Sequence, residues 1–143
     1  MSKIKELLLV DDDRLFNHLH RLYLEEVNVA EKLIVEEDIE VCLKNLVEKK
    51  YSPEIIFLDI NLPKMNGWEF LEEYKKHFNP KDRMIIMLSA SSNPEDKFRA
   101  AAHPYVHSYY DKPLNEHATQ KFIQMVKETL PLYANARSDN KMF

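Results

Sequence analysis

The sequence predicts an α/β fold with a doubly wound, five-stranded parallel sheet, because short apolar runs alternate with longer stretches of helical period. Two runs, residues 7–10 and 55–58, are continuously apolar and each ends at an aspartate, which is typical of strands buried on both faces. The 143-residue chain has the length of one domain, and 45% hydrophobic with 31% charged residues is a globular balance. We therefore expect five β–α units in a single domain.

The elements are predicted in order from these runs and spacings. The strands are 7–10, 33–35, 55–58, 84–88 and 105–110, of which the last is more polar and suits an edge strand. Four helices are predicted from apolar residues at helical spacing, namely Leu15, Leu19, Leu22 and Tyr23; Ile39, Cys42 and Leu46; Trp68 and Leu71; and Phe122, Met125, Val126 and Leu130. The remaining helix, the fourth, is predicted to begin at Asn93-Pro94, a cap residue followed by a proline suited to the first helical position.

Right-handed crossovers leave few topologies for five such units. The flavodoxin-like strand order 2-1-3-4-5 puts strands one and three side by side, and the winding direction reverses between them. A crevice therefore opens at their carboxyl ends, where ligands bind in such folds. We place the domain at residues 4–131 and expect the polar, aperiodic residues 132–143 to form a flexible tail.

Composition excludes several classes of function. The net charge of −4 provides no basic stripe, so nucleic-acid binding is not expected. A single cysteine, Cys42, excludes an intrachain disulfide and a cysteine-based zinc site. The single glycine, Gly67, excludes a glycine-rich phosphate loop. We expect no membrane span and a cytoplasmic location, because no apolar run approaches about 18 residues and no signal-peptide pattern precedes Asp11.

Three acidic residues are expected to meet in the crevice. Asp11 and Asp12 follow the first strand, and Asp59 follows the third. Each alone could be a helix cap or a solvated turn residue, but three close carboxylates repel each other unless a cation lies between them. An all-oxygen cluster suits Mg²⁺, or Mn²⁺ in its place, better than zinc.

Two further polar residues follow strands four and five. Ser89 would add a hydroxyl and Lys112 an ammonium at the same edge of the sheet. Taken singly, they could be an ordinary turn hydroxyl and a solvated lysine, and only their convergence with the acids gives them weight. The sequence leaves open whether the Lys112–Pro113 bond is cis.

Together, four segments resemble the receiver domain of two-component response regulators. They are Val10-Asp11-Asp12, residues 57–63 with Asn66-Gly67, Leu88-Ser89-Ala90 and residues 109–113. The resemblance covers roughly residues 4–131 and implies a CheY-like fold. It also implies a phosphorylatable switch that is not an enzyme, beyond self-catalysed phosphotransfer and autodephosphorylation.

The resemblance also implies residue roles. Asp59 corresponds to the phosphoacceptor, and Asp11, Asp12, Asp59 and the carbonyl of Asn61 correspond to the metal ligands. Ser89 and Lys112 correspond to the residues that bind the phosphoryl group. Tyr109 corresponds to an aromatic residue that changes rotamer when the face formed by the fourth helix, fifth strand and fifth helix is activated.

The implied partners are a histidine kinase or a phosphotransfer protein and an unidentified downstream protein. The chain would be a stand-alone receiver, and a monomer or a phosphorylation-dependent dimer. The alternating residues 103–109 are consistent with an ordinary edge strand or with a docking surface that includes Tyr105 and His107.

Two alternatives stay open. A degenerate receiver would bind partners without being phosphorylated. A phosphatase of the haloacid-dehalogenase type would need a second aspartate two residues after Asp59, where this chain has Asn61.

One departure from the family is the lack of a glycine before the fifth strand, so Pro104 is predicted to end the fourth helix. Asp13 is interpreted as a helix cap, and His18 and His20 as solvated or packing residues.

Overall fold

The structure is a computed structural model that describes residues 4–90 and 93–132. The strands are β1 (Ile4–Val10), β2 (Ala30–Glu36), β3 (Ile55–Asp59), β4 (Met84–Ser89) and β5 (Ser108–Asp111). The helices are α1 (Arg14–Glu26), α2 (Ile39–Val47), α3 (Gly67–Tyr74), α4 (Pro94–Ala102) and α5 (Glu116–Thr129), followed by a 3₁₀ turn at Leu130–Leu132. The tail expected over 132–143 lies outside the described residues from position 133 onward.

The five strands form one parallel sheet in the order β2-β1-β3-β4-β5, which confirms the predicted fold class and topology. The register aligns the carboxyl ends of the central strands: Val10 lies opposite Leu58, and Asp59 opposite Leu88. Residues that follow these strand ends are therefore delivered to one edge of the sheet.

Alternate residues of the strands separate the core into two layers. Leu8 and Val10 of β1 join the cluster formed with α2, α3 and α4. Leu7 and Leu9 join the cluster formed with α1 and α5. Burial on both faces explains why β1 and β3 have continuous apolar runs.

Side-chain caps fix where the helices begin. Asp13 caps α1 by accepting hydrogen bonds from the backbone N–H groups of Leu15 and Phe16, which confirms its interpretation as a cap. Asn66 forms a reciprocal capping box with Glu69 at the start of α3. These caps set the ends of the two loops that border the crevice.

The helix α4 ends at the predicted place. His103 has an extended backbone (φ −85°, ψ 125°) because the following Pro104 disfavours a helical conformation there. The N–H of Val106 then closes a turn by donating a 3.2 Å hydrogen bond to the carbonyl of His103. The edge strand consequently begins at Ser108, so its predicted start at Tyr105 is wrong.

The buried face of α1 differs from the face formed by its leucines. Leu15 and Leu22 are 66% and 51% exposed. The buried residues are instead Asn17, His20 and Leu24. Polar groups therefore face the sheet edge on this helix, and the apolar spacing did not identify them.

The indole of Trp68 joins two helices on one side of the sheet. Its ring is buried, and its Nε1 donates a 3.2 Å hydrogen bond to Asp96 near the start of α4. The guanidinium of Arg99 lies 4.5 Å from the centre of the same ring. Among the described residues, no helix is long and apolar enough to cross a membrane.

Candidate functional site

Three carboxylates meet at the carboxyl edge of the sheet. Asp11 and Asp12 directly follow β1, and Asp59 is the last residue of β3. One oxygen from each lies within 4.8 Å of the others. Asp11 and Asp59 are buried, whereas Asp12 is exposed. The structure thus brings together the three acids that the sequence placed in the crevice.

The ammonium of Lys112 lies between the two buried carboxylates. Its Nζ is 2.7 Å from Oδ2 of Asp11 and 3.4 Å from Oδ2 of Asp59. The lysine side chain is 4% exposed, so this pairing takes place with little competition from water. Its backbone N–H donates to the carbonyl of Ser89, and the Lys112–Pro113 bond is cis.

Ser89 and Asn61 lie beside the Asp59 carboxylate and add a hydroxyl and an amide to the site. Ser89 is fully buried, and its Oγ accepts a long hydrogen bond of 3.5 Å from Nδ2 of Asn61. The backbone N–H of Asn61 donates to Oδ1 of Asp59 at 3.4 Å. The loop after β3 therefore lies directly against the Asp59 carboxylate.

These groups open onto a crevice with a volume of about 440 Å³. Its lining residues are Asp12, Asp13, Phe16, Asp59, Asn61, Ala90 and Lys112. Asp59 ends its strand there, and the other lining residues come from the loops and the helix start at the carboxyl edge. The position matches the ligand-binding place expected where the winding of such a sheet reverses.

Burial raises the pKa of the Asp59 carboxyl to about 6, and the nearby charge of Asp11 adds to this effect. The ammonium of Lys112 and the N–H of Asn61 act in the opposite direction. Since this pKa lies below neutral pH, Asp59 is mainly ionised at pH 7 and available as an anionic oxygen nucleophile.

The donor set fits a hard divalent cation. Three carboxylates and one ammonium give a net charge of −2 at the site, counting Asp11, Asp12 and Asp59 as −3 and Lys112 as +1. All the clustered donors are oxygens, and the exposed Asp12 leaves room for water in a coordination shell, as Mg²⁺ prefers. The cluster thus has the charge and the ligand chemistry of a Mg²⁺ or Mn²⁺ site.

The three residues predicted for switching or docking lie away from the crevice. Tyr109 of β5 is half-buried, and the Lys97 ammonium of α4 lies 5.9 Å from its ring centre. Tyr105 donates its hydroxyl to the carbonyl of Phe78 at 2.8 Å. The N–H of His107 donates to the carbonyl of Ile85.

Two residues of the site escaped sequence reasoning. The Phe16 ring centre is 4.2 Å from Nζ of Lys112, and His20 accepts a hydrogen bond from the backbone N–H of Leu114. The sequence feature that could have identified them is their i, i+4 spacing, which places both residues on one face of a helix that starts at the crevice. The leucine spacing of the same helix pointed to a different face.

Comparison with known proteins identifies the family of the chain. The family model of the response regulator receiver domain matches residues 7–124. Response regulator Rcp1 of Synechocystis sp. is 30% identical over 128 residues, covering 86% of each chain. Regulatory protein VanRB of Enterococcus faecalis is 28% identical, and the match covers 83% of this chain and 46% of VanRB. The chain therefore spans about half the length of that relative.

Solved structures show the same fold. A two-component response regulator from Cytophaga hutchinsonii has a TM-score of 0.80 and 31% identity, with 89% of this chain and 99% of the other covered. The chemotaxis response regulator CheY4 of Vibrio cholerae shares the fold, with a TM-score of 0.70 and 24% identity over 87% of this chain and 99% of its own. The chain belongs to the response regulator receiver domain family of two-component signalling systems.

Proposed function

We propose that Asp59 accepts a phosphoryl group and that the chain acts as a phosphorylation-dependent switch. The observation that carries this proposal is the position of its buried carboxylate, which opens onto the crevice with the Lys112 ammonium 3.4 Å away. A purely structural ion pair between Lys112 and Asp59 would not need two further carboxylates beside it, since their negative charges repel the Asp59 carboxylate.

The proposed reaction is an in-line transfer to a carboxylate oxygen. An Oδ atom of Asp59 attacks the phosphorus of a phosphohistidine, an O–P bond forms, and the P–N bond breaks. The electron pair of the broken bond leaves with the donor imidazole, and Asp59 becomes an acyl phosphate. Positioning and charge neutralisation account for most of the catalysis that such a step needs.

The other residues of the site bind the transferred group. The Lys112 ammonium would bind a phosphoryl oxygen that enters from the crevice, and the Ser89 hydroxyl would donate to another. A divalent ion would be held by Asp11, Asp12, Asp59 and the Asn61 carbonyl. When bound, it would neutralise charge on the transferred group.

Phosphorylation would then shift a conformational population. Movement of Ser89 toward the phosphoryl group would free space beside β5, where Tyr109 packs between the core and α4. The proposed output is a change in the α4–β5–α5 face, on which Tyr105 and His107 would contribute to docking.

The proposed partners follow from this chemistry. A histidine kinase or phosphotransfer protein would donate the phosphoryl group, and a downstream protein would bind the altered face. We propose a receiver over residues 4–131, without turnover of an external substrate, that is monomeric or dimerises on phosphorylation. Sedimentation velocity with and without beryllofluoride distinguishes the two assembly states.

Intact-mass measurement tests the central proposal. The chain is incubated with phosphoramidate or acetyl phosphate and Mg²⁺, and a gain of about 80 Da per chain is expected for one phosphoryl group. Asp59→Asn should lose the gain. Asp111→Asn is the matched control, because this aspartate also ends a strand but its side chain is 63% exposed.

Absence of any gain, with small-molecule donors and with phosphohistidine proteins alike, would favour a degenerate receiver that binds partners without phosphorylation. Sustained hydrolysis of p-nitrophenyl phosphate would instead indicate a phosphatase. A gain that persists in Asp59→Asn would show that another residue is the acceptor.

A further inference from the structure

The ammonium of Lys112 has a third contact besides the two carboxylates. The ring centre of Phe16 lies 4.2 Å from Nζ, well inside the range of a cation–π interaction. Such contacts are stronger when the cation is shielded from water, and the lysine side chain is 4% exposed. The ammonium is therefore confined by Asp11, Asp59 and an aromatic ring.

This confinement matters because a lysine is a compact charge on a flexible four-carbon stem. Asp11, which follows β1, and Asp59, which ends β3, both attract it, with Asp11 the nearer at 2.7 Å. A ring on the α1 side limits the positions that the ammonium can take, and it leaves the side facing the crevice open to an anion.

One helical turn further along α1, His20 supports both the ring and the lysine segment. Its imidazole stacks on Phe16 with centroids 5.9 Å apart and an interplanar angle of 23°. Its Nε2 accepts a 3.1 Å hydrogen bond from the backbone N–H of Leu114, two residues after the lysine. The helix thus holds the 112–114 segment at two points.

The imidazole must be neutral at Nε2 to accept that hydrogen bond. It is 1% exposed, and burial lowers the pKa of His20 to about 4, so the acceptor persists at neutral pH. The adjacent charge of Lys112 acts in the same direction, whereas that of Asp11 opposes it.

Core packing alone does not account for Phe16. Among the described residues, neither hydrophobic cluster of the core includes it, and its ring lines the crevice instead. Phe16 lies outside both clusters and has the Lys112 ammonium over its ring. Its position therefore suits a cation–π contact with the lysine rather than packing in the interior.

We propose that Phe16 and His20 are positioning residues that hold Lys112 in place to receive the anionic group delivered to Asp59. The inference rests on the proposed function and deepens it, because it assigns to α1 the orientation of the cation that binds the phosphoryl oxygen.

Calorimetric titration of two ligands tests this inference. The first is Mg²⁺ alone, which reports on the carboxylates, and the second is beryllofluoride at saturating Mg²⁺, which needs the lysine as well. Phe16→Leu keeps an apolar side chain but removes the ring. We expect it to weaken beryllofluoride binding about threefold to tenfold and to change Mg²⁺ binding less than about twofold. Phe16→Tyr should restore anion binding.

A second pair of variants tests the histidine. Since His20→Leu leaves the Leu114 N–H without its acceptor, we expect about fivefold weaker beryllofluoride binding or more. His20→Gln, which can offer a carbonyl oxygen, should recover most of that loss. Leu15→Ala, on the exposed face of the same helix, is the matched control and should leave both affinities unchanged.

The outcomes separate this inference from the function on which it rests. If wild-type protein binds no beryllofluoride, the proposed function fails. If wild-type protein binds it and Phe16→Leu binds it equally well, the inference fails alone. Equal losses of Mg²⁺ and anion affinity would show general damage to the site and would also overturn the inference. Circular dichroism checks that each variant is folded. If Phe16→Leu is unfolded, the two His20 variants decide, and if His20→Leu is unfolded, the two Phe16 variants decide.

Discussion

At the scale of single residues, the site keeps a carboxylate in surroundings that disfavour its charge. Asp59 is 4% exposed, and its pKa of about 6 reflects mainly the loss of solvation. Its folded-state pKa is above the ordinary value of 3.8, so the folded state binds more protons between about pH 4 and 6. The contribution of Asp59 to stability therefore falls as the pH rises through this window.

Asp59→Asn is accordingly expected to stabilise the metal-free protein at neutral pH. The gain should be about 1–3 kcal/mol above pH 6 and should disappear near pH 4, because asparagine does not ionise. Urea unfolding in EDTA from pH 4 to pH 8 measures the difference. Asp111→Asn, at a largely exposed position, should change stability by less than about 0.5 kcal/mol. A gain in the free energy of unfolding of Asp59→Asn that does not grow with pH would contradict a raised pKa for Asp59.

At the scale of elements, the start of α3 is pressed against β3 and β4. A Cβ on Gly67 would lie 3.0 Å from the Asp59 carbonyl oxygen, from Cα of Ile60 and from Cε of Met87. Two of these three neighbours are backbone atoms that cannot turn aside. The single glycine of the chain therefore stands where a strand end and a helix start touch without a side chain between them.

Gly67→Ala is expected to destabilise the protein by about 1–3 kcal/mol, although alanine is the better helix former. Thermal and urea unfolding measure the change. Ala101→Gly, at an exposed position in α4, isolates the helix-propensity effect and should cost no more than about 1 kcal/mol. Wild-type stability in the Gly67→Ala variant would show that the β3–α3 junction relaxes freely.

The sequence predicts the strands β1 and β3 well but does not predict the buried face of α1. The runs of β1 and β3 were unambiguous, since burial on both faces requires continuous apolar residues. The interior face of α1 was not predictable from apolar spacing, because the helix presents Asn17 and His20 to the sheet edge. Asn17 donates a hydrogen bond to the carbonyl of Asp11, and His20 accepts one from the N–H of Leu114, which is distant in sequence. Neither hydrogen bond has a signature in the spacing of apolar residues.

At the scale of the whole molecule, the topology assembles the site. Parallel strands in the order β2-β1-β3-β4-β5 bring Asp11, Asp59 and Lys112 to one edge. Motifs at strand ends could therefore predict which residues converge. They could not predict Phe16, whose role arises only from the position of a helix face relative to the lysine.

The same topology makes the proposed metal site a source of global stability. A cation that binds only the folded state should raise the free energy of unfolding by about 2.7 kcal/mol at 100 times its dissociation constant. The melting temperature should therefore rise with the cation concentration. Differential scanning fluorimetry with Mg²⁺, at ionic strength matched with KCl, measures the shift. Because Asp12 is exposed, Asp12→Asn should leave the metal-free melting temperature nearly unchanged and should reduce the shift. Asp111→Asn should retain it, and equal shifts in all three proteins would argue against the cluster as the binding site.

The indole that joins α3 to α4 has a practical consequence. The chain contains one tryptophan, so its emission comes from a single known place. That emission depends on a hydrogen bond to Asp96 and on the guanidinium of Arg99, both on the helix that begins just past β4. If the proposed activation displaces this helix, the surroundings of the fluorophore change, and the tryptophan emission of the unlabelled protein would report that change.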